Sequence, residues 1–346
     1  MAHGLPGKPG IEAHGPPYPP SGAGLGGRPT LSVDVAISAV FISIFLAGAV
    51  SSFTIFRKNL QRNHKFIPSA ATGGYCIARI VANTLRIVWA AKPMNINVAI
   101  AAQVFIAAGV LILFVINLIF AQRMLRASHP AVGWSRPVSY AFKILYILIG
   151  LTLVTVITAT VQSFFTLDPN TRRIDRDLQL FGGSLLTFVA FLPIPILAFI
   201  HLAPRRQPRD QFGSGSWSAK VIIVTATAIL LTLGAGFRIG VSASPIRAAT
   251  NPAWYHHKAC FYIFNFVLEA MVVYMFLFGR VDRRFFVPNG SSKNPRHRTM
   301  TKRAKVKLSC HEAMYETRLI FLLLVPSAHR AIFSFNAGFT VLRHEL

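Results

Sequence analysis

Acidic side chains are scarce, with 11 Asp and Glu against 36 Lys and Arg in 346 residues. Charge of either sign is thin: 14% of the chain, against about 25% in typical soluble proteins. A chain this long with so few charges cannot coat a globule with polar side chains, and its mean hydropathy of +0.50 excludes the soluble and disordered classes. Cysteine is nearly absent. Cys76, Cys260 and Cys310 lie far apart without paired spacing, so neither a disulfide framework nor a zinc site is expected. Residues 1–30 lack the apolar core of a cleavable signal. Catalytic signatures are missing too: there is no HExxH helix, no GxSxG elbow and no Walker loop. The expectation is a non-enzyme with no cofactor and no metal; His256-His257, an isolated pair, makes a poor metal site.

What is present is apolar sequence in runs of about twenty, the length a helix needs to cross about 30 Å of hydrocarbon. Only helices hide the backbone within such runs. The fold expected is an all-α integral membrane bundle of seven transmembrane helices. The spans read Val35–Phe56, Phe66–Ala91, Asn97–Ala121, Val138–Phe165, Leu178–Ala203, Val221–Val241 and Ala259–Gly279. Three regions follow: a disordered Gly/Pro-rich N-terminal tail over 1–32, the seven-helix domain over 33–280, and a basic, mostly disordered tail over 281–346. Within that tail, LIFLLLVPSAHRAIF is too broken to span and reads as an interfacial or disordered segment.

Basic residues usually gather on the cytosolic side. Loops 57–65, 122–137 and 204–220 carry four, three and four Lys or Arg, and the stretch after Gly279 carries thirteen. The opposite segments carry two, one, three and two. The N-terminus is therefore expected outside and the C-terminus in the cytosol. Such a charge balance fits anionic lipid head groups at the cytosolic loops and tail better than it fits nucleic acid. Membrane lipids are the expected partners, and the plasma membrane is favoured over an internal one.

Ionisable residues inside a span are costly, about 2.5–3.5 kcal/mol or more at the bilayer centre when unpaired. Tyr75, Arg79, Asn83 and Arg86 share one face of the second span, which must look inward. Asn265 and Glu269 lie one turn apart in the seventh. At 1.5 Å per residue, Arg79 lies about 20 Å from the inner end and Glu269 about 15 Å from the outer end. Those depths predict an Arg79–Glu269 ion pair with an Asn83–Asn265 layer above it. Arg86 and Arg238 both fall in the outer part of their helices, with Asp34 the nearest acid in depth. They are candidates for contacting an anionic head group; alternatively Arg86 pairs with Asp34, and Arg238 snorkels to the interface. Gly234, Gly236 and Gly240 permit close helix approach, and Pro193 and Pro195 should bend the fifth span.

The stretches HKFIPSAATGGYCIARI, LDPNTRRIDRDLQL, PAWYHHKACFYIFNF and VDRRFFVPNG resemble an uncharacterised family of fungal multi-span membrane proteins, over about residues 30–290. More distantly, Phe237-Arg238 and the run Phe261–Asn265 resemble the fungal lipid-translocating exporter-like family, also with seven spans. That family has an acid three residues after its Phe-Arg pair, where this chain has Val241, and a His-Glu pair where this chain has His257-Lys258. Transport or translocation of lipids or amphiphilic small molecules is what this likeness implies. The alternatives are a seven-helix receptor, although Phe120-Ala121-Gln122-Arg123 lacks an acid before its arginine, and a non-catalytic membrane-organising protein.

Overall fold

Five helices begin with a proline in their first turn, where its missing N–H costs nothing, and four are capped by a side chain that accepts from a backbone N–H of that turn. In the computed structural model, which describes residues 15–19, 22–62, 64–204 and 212–287, these punctuation marks set the architecture. The helices are α1 Leu31–Gln61, α2 Ile67–Ala91, α3 Ile96–Gly109, α4 Leu111–Ser128, the short α5 Pro130–Gly133, α6 Arg136–Phe165, α7 Pro169–Phe191, α8 Pro193–Leu202 and α9 Trp217–Ala243. After a turn at Trp254–His256 come α10 Lys258–Tyr262, a π-helical segment Ile263–Val267, α11 Leu268–Phe278 and the short α12 Val281–Arg284.

Joined end to end, α3–α4, α7–α8 and α10–α11 make single rods, so the chain forms seven long rods among the described residues. Six of them are long and apolar enough to cross a membrane. The exception, α2, has 25 residues, but Tyr75, Arg79, Asn83 and Arg86 dilute its hydropathy, and all four are buried. Its charge is hidden inside the bundle rather than offered to lipid. The rods close into a ring in which α1 meets α2, α2 meets α3, α3 meets α6, α6 meets α7, α7 meets α9, and α11 joins α9 back to α1. Past the break at Val110, α4 turns into the ring and touches α2, α7, α8 and α9. Sixteen of its 18 residues are buried. It is the pillar of the core.

Several expected boundaries move. The polar stretch 166–177, left between the expected spans ending at Phe165 and starting at Leu178, is mostly helix: the Asp168 carboxylate accepts from Thr171 N at 2.9 Å and Pro169 opens the first turn. The fifth rod therefore starts nine residues before Leu178, and it breaks at Leu192, just ahead of Pro193. The N-terminal segment expected to be disordered has a defined course over 22–30, where Gly26 N donates to His256 O and Ala23 N to Arg247 O. Gly26 has φ +80°, and a Cβ there would meet the Phe261 ring at 2.6 Å, so only glycine seats the segment on that ring. At the other end the bundle continues past 280, because Phe285 is fully buried and stacks on Phe120 at 4.3 Å. The LIFLLLV stretch lies outside the described residues.

Candidate functional site

Glu269 is the second residue of α11, just past the π-helical segment, and the elements around it explain how a carboxylate is held in an apolar bundle. Tyr75 Oη donates to Glu269 Oε2 at 2.5 Å. Arg79 Nη2 lies 2.6 Å from the same oxygen. That nitrogen makes no hydrogen bond of good geometry, so the contact is one of charge more than of direction. Arg79 Nε donates to Tyr75 Oη at 3.1 Å, and Nη1 donates to the carbonyl of Ile106 at 3.0 Å. Ile106 belongs to the last turn of α3, whose carbonyls lack helical partners; Gly109 in the same turn lets the guanidinium lie close, at 3.4 Å from the position of a Cβ. Phe266 covers the guanidinium at 5.5 Å. Arg79 is fully sealed.

Arg238 of α9 completes the cluster. Its Nη1 donates to Glu269 Oε1 at 3.1 Å and to Asn265 Oδ1 at 3.3 Å, and its side chain is 22% exposed. Two local features bring it there. Gly234 lets α9 approach so closely that a Cβ would lie 3.0 Å from the Phe264 carbonyl, and Phe237 stacks on Phe264 at 3.7 Å. The π-helical turn that carries Asn265 and Phe266 is a rare geometry that is frequent at functional sites. Arg238, expected to contact an anionic head group or to snorkel to the interface, has its charge directed at the carboxylate it shares with Arg79.

The expected Asn83–Asn265 layer is not a joint one. Each amide turns to its own helix, Asn83 Nδ2 donating to Arg79 O at 2.8 Å and Asn265 Nδ2 to Phe261 O at 2.9 Å, a route open to any helical asparagine. Asn83 Oδ1 is buried without a hydrogen-bond partner.

A second cluster lies two turns along α2. Arg86 Nη2 is 2.8 Å from Asp34 Oδ1, while Tyr262 Oη donates to the same oxygen at 2.8 Å. Lys258 Nζ reaches Asp34 Oδ2 at 2.5 Å, and Thr30 N donates to it at 2.8 Å. Arg86 also donates to Gly26 O at 3.1 Å and lies over Phe261 at 4.0 Å. Asp34 thus ties together the N-terminal segment, α1, α2 and α10. The Lys258 contact carried no signal in the sequence beyond an exposed-looking loop lysine. Among the described residues, no group of three His, Cys, Asp or Glu is placed to hold a metal ion.

The helical bundle and its apolar rods define the class, a multi-pass integral membrane protein. The model of a family described as Protein of unknown function (DUF3112) matches residues 211–286, the segment that supplies Arg238, Lys258, Asn265 and Glu269. No curated protein and no solved structure matches the chain.

Proposed function

We propose that this protein is a seven-span, non-catalytic carrier that moves an anionic lipid or amphiphile across or within the membrane, using Arg238 as the group that meets the ligand. One observation carries this reading. The Glu269 cluster holds two guanidinium groups and one carboxylate, and the cation left in excess is at the bundle's edge, 22% exposed, while its fellow is sealed. An uncompensated charge at membrane depth is costly, and an anion that supplies the missing charge relieves that cost. The likeness of Phe237-Arg238 and Phe261–Asn265 to the lipid-translocating exporter-like family of fungi supports the same direction. In this reading α2 spans as the seventh helix with its charges turned inward. The Lys and Arg counts of the short loops support an outside N-terminus and a cytosolic C-terminus, and the plasma membrane is the proposed location.

The test is reconstitution of the full chain in proteoliposomes carrying a fluorescent phosphatidylserine, with quencher added outside to follow flip. Expected is flux above protein-free vesicles, lowered about tenfold by Arg238→Gln, the loss of one charge-assisted contact of about 1.5 kcal/mol. Flux equal to protein-free vesicles, from protein that retains its helicity, overturns the proposal and leaves the cluster as a clamp between helices.

A further inference from the structure

At the far end of the bundle from Asp34, α1 runs beyond its apolar segment into Arg57 and Lys58, and the corner between α11 and α12 folds against it. A recess of about 200 Å³ lies between them. Four cations line it: Lys58 and Arg62 from α1, Arg280 and Arg283 from the corner. The acid close by, Asp282, is already consumed. Its Oδ1 accepts from Arg280 Nε at 3.1 Å, and its Oδ2 accepts from Arg280 Nη2 at 3.3 Å and from Asn59 Nδ2 at 3.1 Å. Asn59 lines the recess, and both it and Asp282 are buried.

Lys58, Arg62 and Arg283 have no ion-pair partner among the described residues, which leaves three positive charges converging on one concave space. The backbone points the same way. Arg280 has φ +46° and ψ +51°, a left-handed conformation rare for a side chain with a Cβ. Its fork on Asp282 holds that strained turn, and strain of this kind persists where surrounding structure enforces it. Ile55, the last-but-one residue of the 22-residue apolar stretch of α1, also lines the recess, so the recess lies at the level where the helix leaves hydrocarbon. That is the depth of lipid phosphates. About 30 Å³ per water makes the space several waters large: room for a phosphate group, too little for acyl chains.

We infer that this recess binds a phosphate group of net negative charge, presented by an anionic lipid head group or by a soluble phosphate ester. A zwitterionic head group brings its own cation into a site that already repels cations, and so fits poorly. The inference rests on the membrane-spanning reading alone. It is independent of the Glu269 cluster, which lies in other turns of the bundle.

The test uses the full-length purified chain in neutral detergent, with native mass spectrometry of bound dioctanoyl phosphatidic acid, dioctanoyl phosphatidylcholine and glycerol phosphate. Phosphatidic acid is expected to bind at least about tenfold tighter than phosphatidylcholine. The variant Lys58→Gln/Arg62→Gln/Arg283→Gln is expected to bind it roughly a hundredfold more weakly, about fivefold for each cation lost near a membrane surface, and Lys143→Gln, which removes an exposed cation of α6 outside the recess, should bind it as the parent does. Displacement by glycerol phosphate at similar concentration identifies a soluble ester as the ligand; retention of phosphatidic acid against it identifies the lipid. Equal binding of phosphatidic acid by parent and triple variant, or no preference over phosphatidylcholine, overturns the inference. If the triple variant fails to fold, Arg283→Gln and Arg283→Lys read the same site: glutamine should weaken binding about fivefold and lysine should keep it, and equal binding by both overturns it.

Discussion

Removing Arg79, Glu269 or Arg238 perturbs the same cluster in three ways that the geometry separates. Glu269→Gln strands two guanidinium groups, one of them sealed. Breaking a buried pair by deleting one partner costs about 3–5 kcal/mol, and here the upper end is expected, about three and a half decades in the unfolding equilibrium. Arg79→Gln leaves Glu269 with Arg238 as its remaining cation at 3.1 Å, so the lower end is expected, about 3 kcal/mol. Arg238→Gln leaves the neutral Arg79–Glu269 pair at 2.6 Å intact and removes the surplus charge. Its cost should stay within about 1 kcal/mol, the range of partly exposed pairs. The double variant Arg79→Gln/Glu269→Gln strands only Arg238, whose exposed side chain has a route to relieve its charge, so it should be more stable than Glu269→Gln alone. The assay is equilibrium unfolding by dodecyl sulfate in mixed micelles, followed by far-ultraviolet circular dichroism. Two results refute the reasoning: Arg238→Gln as costly as Arg79→Gln, or a double variant whose cost is the sum of the single costs within about 0.5 kcal/mol, the limit for independent sites.

The approach of α9 to the π-helical turn gives a paired prediction. Gly234→Ala places a Cβ 3.0 Å from the Phe264 carbonyl, whereas Gly236→Ala meets nothing within 4 Å. The first should cost about 1–3 kcal/mol through overpacking and the second should be neutral or slightly stabilising; equal melting temperatures for the two would show that α9 stands off further than described. A second concerns pH. Burial alone would raise the Asp282 carboxyl, but the hydrogen bonds from Arg280 and Asn59 outweigh it and hold the group below its ordinary 3.8. A folded value below the unfolded one means that its stabilisation is present above about pH 4 and lost as pH falls through the folded value. Hydrogen exchange of residues 281–285, corrected for intrinsic rates, should lose about tenfold protection on acidification, the size of a hydrogen bond to a charged group. Asp282→Asn should show the low protection at every pH; a parent corner whose protection is unchanged down to pH 3 counts against this account.

The apolar runs made six membrane-length rods legible in the sequence, because burial of a backbone in hydrocarbon demands length and composition at once. The inward face of α2 was equally legible, since four polar residues at helical spacing cannot all face lipid. The stretch before Leu178 misled because its charges outweighed two start signals, Asp168 as cap and Pro169 in the first turn. Counting depth along each helix brought Arg79 toward Glu269 but placed Arg238 elsewhere, since rise per residue ignores the stagger of helix ends and the reach of an arginine. Ile106 could not have been found. Its contribution is a backbone carbonyl freed where α3 ends, and a carbonyl leaves no mark in composition or spacing. Lys258 was missed for a related reason: its partner Asp34 is 224 residues away, and no periodicity links them.

The two charged clusters share a pattern that neither shows alone. Arg79 and Arg86 are seven residues apart on α2, about 10 Å along its axis, and each is sealed. Each pairs with one buried acid, Glu269 or Asp34, and one-to-one pairing would be enough to clamp helices together. Yet each acid also takes a second cation, Arg238 or Lys258, whose side chain is 22% or 24% exposed. Both of these edge cations lie within residues 211–286, the segment that the uncharacterised family model matches, while Arg79, Arg86 and Asp34 lie outside it. A clamp needs its sealed members; the surplus charge at the edge is what a clamp does not need. A chemistry shared across that family segment would therefore draw on Arg238, Lys258 and Glu269, and the sealed arginines of α2 would act by fixing the two acids at their depths.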